Sequence, residues 1–304
     1  MKIYIIGAGA MGMLYASMLN KTNNVTLIDA NEALIKEVEK ENGFTVKSYD
    51  GTSVKCGAKV VKSEDITEPA DLVIVFVKDT VTDVAVKGNM AAIGKDTIVL
   101  SLQNGIGNAD VIEKYVQKSQ ILLGTTKHNC VVKTLSEVYH SAGGKTVIGS
   151  IAGNEDAAKK IVDVFKKAGI ETEFSDNVNY LLWEKLFTNM TINPVTALLG
   201  AEMDVLGKSV YGENIVRKLV DEAVIVAKAE GLSFDGKKIA DQIIAYVKKS
   251  VGGKASMCQD VERKRKTEID FINGAVLKAA EKHGLTAPTH EAIVNLIHLK
   301  ETTY

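Results

Sequence analysis

Four short runs of apolar, largely β-branched residues divide the first third of the chain, and they constrain its fold more than any other feature. They are KIYIIG, NVTLID, DLVIVFV and DTIVLSL, at residues 2–7, 24–29, 71–77 and 96–102, with stretches typical of helices between them. A continuously apolar strand is buried on both faces, as happens when helices cover both sides of a parallel sheet. The pattern therefore predicts an α/β domain.

Two excursions are expected to interrupt this alternation. GFTVKSYDGTSVKCGAKVV, at residues 43–61, carries Asp50 and Gly51 between two strand-like segments, a common hairpin signal. EVYHSAGGKTVIGS, at residues 137–150, has Gly143 and Gly144 at its centre and predicts a second hairpin.

The character of the sequence changes near residue 175. From Asp176 onward, apolar residues recur at helical spacing, and Gly231 and Gly284 stand where helices would end. We therefore predict two domains, an α/β domain over residues 1–175 and an all-helical domain over residues 176–304.

Composition argues against several classes of protein, namely nucleic-acid-binding, disulfide-rich and metal-binding proteins. The chain has 304 residues, a formal net charge of −1 and three cysteines without a CxxC pair. The near-neutral charge argues against a nucleic-acid partner, and the cysteines indicate neither a disulfide framework nor zinc. The five histidines lack the HxxxH or HExxH spacing, so no metal is assigned. We expect a cytoplasmic protein with a small-molecule partner and no membrane segment.

The first motif with chemical meaning is GAGAMG, which follows the strand KIYII and precedes a helical stretch. In such a GxGxxG turn, the first glycine allows the tight bend, the second leaves room for a pyrophosphate, and the third allows close helix packing. The helix N-terminus then faces the phosphates. The motif predicts a Rossmann-type doubly wound sheet that binds a dinucleotide through Gly7, Ala8, Gly9, Ala10, Met11 and Gly12.

Asp29 ends the second apolar run, at the distance expected for an acid that binds the adenosine ribose. A carboxylate there accepts from the 2′-hydroxyl of NAD and repels the 2′-phosphate of NADP. The alternative is that Asp29 or Asn31 caps the following helix. The two roles are compatible, and Asp29 argues for NADH.

Two polar residues follow neighbouring strands. Lys78 comes after VIVFV, and Asn104 comes after LSLQ. Taken singly, each is an ordinary loop residue. Because open parallel sheets bind ligands at the carboxyl ends of their strands, both become candidates for the nicotinamide end of the site.

WEKLFTNMTINP, from Trp183 to Pro194, places Lys185, Asn189 and Asn193 at steps of four. On a helix these side chains share one stripe about 80° wide, which would present an ammonium and two amides to an oxygen-rich ligand. An exposed polar face is the alternative. We expect Pro194 to kink or end the helix at Asn193.

SMCQDVERKRKTEIDFING, at residues 256–274, holds two further candidates. Ser256 precedes a predicted helix and could cap it or bind a ligand. Glu268 lies where a carboxylate could be half-buried. ERKRK is too short to form a nucleic-acid patch in a near-neutral chain.

Taken together, GAGAMG, Lys78 after VIVFV, QNG at 103–105, WEKLxxNxxINPxTAL at 183–198 and SMxQDxxxxRxTEIDxxNG at 256–274 resemble the ketopantoate reductase (2-dehydropantoate 2-reductase) family. The resemblance implies hydride transfer from a nicotinamide cofactor to ketopantoate in the cytoplasm, giving D-pantoate for pantothenate and coenzyme A synthesis. By it, Lys185 is the general acid and Glu268 takes the substrate hydroxyl. It assigns substrate binding to Asn189, Asn193, Ser256 and Asn104, and it places Lys78 and Asn104 on the cofactor side.

The sequence departs from the family in two places. Members commonly carry an arginine near Ala30 and use NADPH, and they have Gly-Ala where this chain has Asn129 and Cys130. The runner-up is an NAD-dependent D-2-hydroxyacid dehydrogenase of the mandelate type, which shares Lys185 and Glu268. A redox-sensing regulator that binds dinucleotide without catalysis is disfavoured, because such a protein could lose Lys185, Asn189 and Glu268, and all three are present. A homodimer and a cleft that closes on the substrate are further expectations.

Overall fold

The computed structural model describes residues 1–304 as two compact units. The first unit comprises residues 1–103 and 108–181, and the second comprises residues 104–107 and 182–304.

Twelve strands and five helices build the first unit. The strands are β1 (Lys2–Ile6), β2 (Asn24–Ile28), β3 (Phe44–Ser48), β4 (Ser53–Cys56), β5 (Lys59–Val61), β6 (Leu72–Val75), β7 (Ile98–Ser101), β8 (Ile121–Thr126), β9 (Asn129–Thr134), β10 (Glu137–Ala142), β11 (Thr146–Ser150) and β12 (Thr172–Phe174). The helices are α1 (Ala10–Leu19), α2 (Glu32–Lys40), α3 (Thr82–Gly88), α4 (Asn108–Glu113) and α5 (Glu155–Lys167).

The main sheet has eight strands in the order β12-β11-β8-β7-β6-β1-β2-β5. The six neighbouring strands β8, β7, β6, β1, β2 and β5 run parallel to one another. β11 pairs antiparallel with β8. The direction of winding reverses between β1 and β6, the crevice where doubly wound sheets bind their ligands. Ile3, Ile5, Leu72, Ile74 and Leu100 are fully buried in these strands, as expected for a sheet covered on both faces. The predicted Rossmann-type α/β fold is confirmed.

The first predicted hairpin is confirmed and the second is wrong. β3 and β4 pair antiparallel around Gly51, whose φ is +84°. By contrast, β10 does not pair with β11. It pairs antiparallel with β9 and parallel with β3, in a separate sheet of order β4-β3-β10-β9. Gly143 and Gly144 therefore lie in the connection between the two sheets, where a Cβ on Gly144 would lie 2.5 Å from Cβ of Lys127.

The second unit is helical, as predicted. Its helices are α6 (Val178–Leu199, which begins in the first unit), α7 (Val210–Ala229), α8 (Gly236–Lys249), α9 (Ser256–Glu262), α10 (Ile269–Lys282) and α11 (Pro288–Glu301). Gly231 and Gly284 follow the ends of α7 and α10 with φ of +84° and +65°, which confirms them as helix stops. No helix of the chain combines the length and the apolar composition that crossing a bilayer requires.

Pro194 does not end its helix, so that half of the prediction is wrong, and the kink stays a prediction. α6 continues through Pro194 for five more residues to Leu199. The hydroxyl of Thr196 donates to the carbonyls of Ile192 (2.8 Å) and Asn193 (3.1 Å), so polar groups of the helix around the proline keep partners. Tertiary packing of α6 has overridden the local preference.

Candidate functional site

The glycine loop has the geometry expected of a phosphate-binding turn. Gly7 adopts a φ of +103°, and its N–H donates to the carbonyl of Ile28 at 2.8 Å. A Cβ on Gly12 would lie 1.9 Å from the Gly7 carbonyl oxygen, so only glycine allows this approach of α1. A Cβ on Gly9 would meet no protein atom within 4 Å. The fold itself therefore requires Gly7 and Gly12, whereas the space above Gly9 is left open.

Gly9 is also the N-cap of α1, and no side chain caps this helix. The first-turn N–H groups consequently have no side-chain acceptor in the protein. A helix N-terminus of this kind attracts an anion through its N–H groups and its dipole. The loop can hold a pyrophosphate without any further basic residue.

Asp29 links the glycine loop to the end of β2. One carboxylate oxygen accepts the Ala8 N–H at 2.7 Å, and the other accepts the Asn31 N–H at 2.9 Å. Asn31 caps α2 by accepting the Leu34 N–H at 3.2 Å, so the capping role falls to Asn31. Each oxygen of an ionised carboxylate can accept more than one hydrogen bond, so Asp29 keeps capacity for a ribose hydroxyl.

Lys78 stands just beyond β6, before a short 3-10 turn at Asp79–Val81. Its side chain is exposed. The six-stranded parallel part of the sheet directs the ends of β1, β6, β7 and β8 to one edge. Lys78 therefore shares its edge of the sheet with the glycine loop.

The end of β8 presents a histidine pair that the sequence reasoning did not assign. His128 Nδ1 lies 2.9 Å from Nε2 of His140, on β10. Burial, together with the neighbouring imidazole, lowers the pKa of His128 to about 4, and burial also lowers the pKa of His140. Both are consequently neutral at pH 7. The available signal was positional, since His128 follows a strand of the sheet just as Lys78 does.

In the second unit, α6 carries Lys185, Asn189 and Asn193 on one continuous helix. Lys185 and Asn189 are half-buried, and Asn193 is 7% exposed. The intervening Phe187 and Met190 are completely buried. The polar stripe is therefore not the freely solvated face that was the alternative.

Glu268 is the N-cap residue of α10 and is 6% exposed, yet its side chain makes no capping hydrogen bond. The turn that carries it is fixed from α11. Glu301 Oε1 accepts both the N–H and the hydroxyl of Thr267, each at 2.8 Å. An ionised carboxylate at this position has the chemistry to accept hydrogen bonds from a hydroxyl or to pair with a cation.

Asn104 belongs by its contacts to this second unit. The N–H of Ile106 donates to the carbonyl of Phe271 at 2.9 Å, and a Cβ on Gly105 would lie 2.2 Å from that same oxygen. The segment 104–107 is thus held against the first turn of α10, which begins directly after Glu268.

Ser256 is the first residue of α9 and is exposed. Ala255 occupies the N-cap position, and no side chain caps the helix. Of the two alternatives for Ser256, capping is therefore wrong, and ligand binding stays a prediction.

Two family models match the chain. The model described as "Ketopantoate reductase PanE/ApbA" matches residues 3–153, and "Ketopantoate reductase PanE/ApbA C terminal" matches residues 177–301. The 2-dehydropantoate 2-reductase of Streptococcus pyogenes serotype M18 is 35% identical over 304 residues, covering 99% of this chain and 98% of the relative.

Two solved structures are similar over the whole chain. A ternary structure of D-mandelate dehydrogenase with NADH and anilino(oxo)acetate has a TM-score of 0.93 at 32% identity, covering 100% of this chain and 99% of the other. A putative 2-dehydropantoate 2-reductase from Enterococcus faecalis has a TM-score of 0.80 at 33% identity, with the same coverage. Together with the glycine loop, these likenesses establish that the chain belongs to the ketopantoate reductase family.

Proposed function

We propose that the protein is a 2-dehydropantoate 2-reductase, which transfers hydride from a reduced nicotinamide to the keto carbon of ketopantoate and gives D-pantoate. One observation carries the proposal. In a chain of the ketopantoate reductase family, Lys185, Asn189 and Asn193 share one helical stripe, and the buried Glu268 directly precedes another helix of the same unit.

The residue types suit the chemistry. Hydride addition to a 2-keto acid builds negative charge on the former carbonyl oxygen, which must be stabilised and protonated. The Lys185 ammonium can do both, and we assign it as the general acid. An amide cannot supply a full proton, so Asn189 and Asn193 act as donors that orient the substrate.

The remaining assignments follow from acceptor and donor capacity. Glu268, as a carboxylate, accepts the 4-hydroxyl of ketopantoate and supports the positive charge of Lys185. Ser256 and Asn104 offer uncharged polar groups to the substrate. Asn104 also serves the nicotinamide side together with Lys78. We class Lys185 and Glu268 as catalytic on this basis.

The cofactor is a nicotinamide dinucleotide, and we propose NADH. The glycine loop receives the pyrophosphate, and Asp29 accepts the ribose 2′-hydroxyl while it disfavours a 2′-phosphate. The D-mandelate dehydrogenase that resembles this chain was solved with NADH, which supports the same choice.

A D-2-hydroxyacid dehydrogenase of the mandelate type is the second candidate. The TM-score of 0.93 to D-mandelate dehydrogenase favours it, as does the replacement of the family's usual Gly-Ala by Asn129 and Cys130. Both candidates use the same general acid, so only the preferred 2-keto acid separates them.

The test compares Lys185→Ala with Lys228→Ala, an exposed lysine at the end of α7 that serves as the matched control. Loss of a general acid lowers kcat by about 10²- to 10⁴-fold. We expect this fall in ketopantoate reduction for Lys185→Ala only, with cofactor affinity retained. Unimpaired turnover of Lys185→Ala would remove the proposed mechanism.

A further inference from the structure

Pro194, five residues before the end of α6, leaves one carbonyl of the helix without its usual donor. In an α-helix each N–H donates to the carbonyl four residues earlier, and proline has no N–H. The carbonyl of Met190 therefore loses its helical donor, although α6 continues to Leu199. Met190 is completely buried, and an unsatisfied buried carbonyl is costly.

Asn273 of α10 supplies the missing donor. Its Nδ2 donates to the Met190 carbonyl at 3.1 Å, and the side chain is fully buried. This contact joins residues 83 positions apart in the sequence. The one backbone hydrogen bond that Pro194 removes from α6 is thus replaced by a hydrogen bond from α10.

His290 of α11 fixes the orientation of that amide. Its Nε2 lies 3.0 Å from the Leu219 carbonyl, which can only accept, so Nε2 carries the proton. Nδ1 is then an acceptor, 3.2 Å from Asn273 Nδ2. Burial lowers the pKa of His290, which keeps the imidazole neutral and Nδ1 able to accept. The amide group of Asn273 is therefore directed toward both acceptors.

The two linked helices carry the proposed machinery. Met190 follows Asn189 directly and precedes Asn193 by three residues, and Asn273 lies five residues after Glu268 on α10. A single amide therefore connects the helix of the proposed donors to the helix that begins after the proposed acceptor.

We propose that Asn273 is a positioning residue for the reaction: by taking the carbonyl that Pro194 frees, it fixes the stripe of Lys185, Asn189 and Asn193 relative to Glu268. It touches no substrate in this scheme and acts only through Met190. The expected effect on kcat/KM rests on the proposed function. The expected effect on the α6 backbone rests only on the geometry of α6.

The test is a double-mutant cycle of Asn273→Ala and Pro194→Ala. Alanine at position 194 restores an N–H that can donate to the Met190 carbonyl, so it should make Asn273 largely dispensable. Misplacing catalytic groups by about 1 Å costs about 10²-fold, so we expect Asn273→Ala alone to lower kcat/KM for the keto acid by roughly 30- to 100-fold, with KM raised. In the Pro194→Ala background the same change should cost less than about fivefold by the same reasoning. The dissociation constant of NADH should be unchanged.

Ile244→Ala is the control for general destabilisation, because Ile244 is a buried residue of α8 outside this network. It should lower the thermal midpoint without raising KM. The proposal is overturned if Asn273→Ala behaves like Ile244→Ala, or if its effect on kcat/KM is equal in both backgrounds.

Hydrogen exchange of the α6 amides separates this proposal from the proposed function. We expect Asn273→Ala to speed exchange around residues 189–193 when Pro194 is present and not in the Pro194→Ala background. Equal acceleration in both backgrounds overturns the positioning role. A wild-type enzyme without turnover of ketopantoate would defeat the proposed function, and the exchange comparison would still decide this inference.

Discussion

Two substitutions in the glycine loop should have different effects, one on cofactor affinity and the other on the stability of the fold. Gly9→Ala and Gly12→Ala add the same methyl group three residues apart. At Gly9 the new Cβ meets no protein atom within 4 Å, and the φ of −74° suits alanine. At Gly12 it meets the Gly7 carbonyl oxygen at 1.9 Å and the carbonyl carbon at 3.1 Å.

The clash at Gly12 sets the cost to stability. The first turn of α1 must shift, and overpacking of this kind costs about 1–3 kcal/mol. The higher helix propensity of alanine returns up to about 1 kcal/mol, since Gly12 lies within α1. Because the clash is with backbone, the cost lies at the upper end of that range, and a net loss of about 2 kcal/mol lowers the thermal midpoint by roughly 4–8 °C for a unit of this size.

Gly9→Ala should leave stability within about 1 kcal/mol of wild type, because the reduced freedom of the unfolded chain offsets a weaker N-cap. Its methyl group instead occupies the space expected for the pyrophosphate. Losing one charge-assisted hydrogen bond of about 1.5–3 kcal/mol weakens cofactor affinity about 10- to 100-fold. Scanning calorimetry and titration calorimetry with NADH measure both quantities. Wild-type NADH affinity in Gly9→Ala would refute the assignment of the loop.

Three further predictions concern Asp29, His128 and Glu301. Asp29→Ser should raise the ratio of kcat/KM with NADPH to that with NADH about tenfold, equivalent to about 1.4 kcal/mol; an unchanged ratio in parallel assays would contradict the proposed role of Asp29. The unfolded chain binds a proton at His128 near pH 6.5 and the folded chain only near its pKa of about 4, so stability should fall as pH drops through this window. The loss is about 1–2 kcal/mol after a discount for partial exposure, and urea unfolding of a His128→Gln variant should lack it. Glu301→Ala leaves the Thr267 donors unsatisfied at a cost of about 1–3 kcal/mol and should lower kcat with unchanged NADH affinity; Glu301→Gln, which keeps an acceptor, should recover part of the rate.

Local chemistry explains what could be predicted from the sequence. The conformations of Gly7, Gly231 and Gly284 follow from positions that require a positive φ. The parallel sheet follows from continuously apolar strands, and the stripe of Lys185 and Asn189 follows from helical spacing alone.

Non-local partners explain what the sequence did not reveal. α6 continues past Pro194 with the Met190 carbonyl accepting a hydrogen bond from Asn273, which is distant in sequence and gives no local sign of its target. The prediction of the second hairpin was wrong because β10 pairs with β9 and β3. A Gly-Gly pair indicates a turn but does not specify which strands pair with each other. The roles of Ser256 and Glu268 came from the family resemblance, since neither residue is unusual by spacing.

The most direct test of the central claim is the specificity constant of the purified enzyme for ketopantoate against bulky branched or aromatic 2-keto acids, followed by loss of absorbance of the reduced nicotinamide, with NADH and NADPH in parallel. We predict the highest kcat/KM with ketopantoate and NADH. No turnover of ketopantoate with either cofactor, alongside rapid reduction of an aromatic 2-keto acid, would contradict the claim and assign the protein to the D-2-hydroxyacid dehydrogenases.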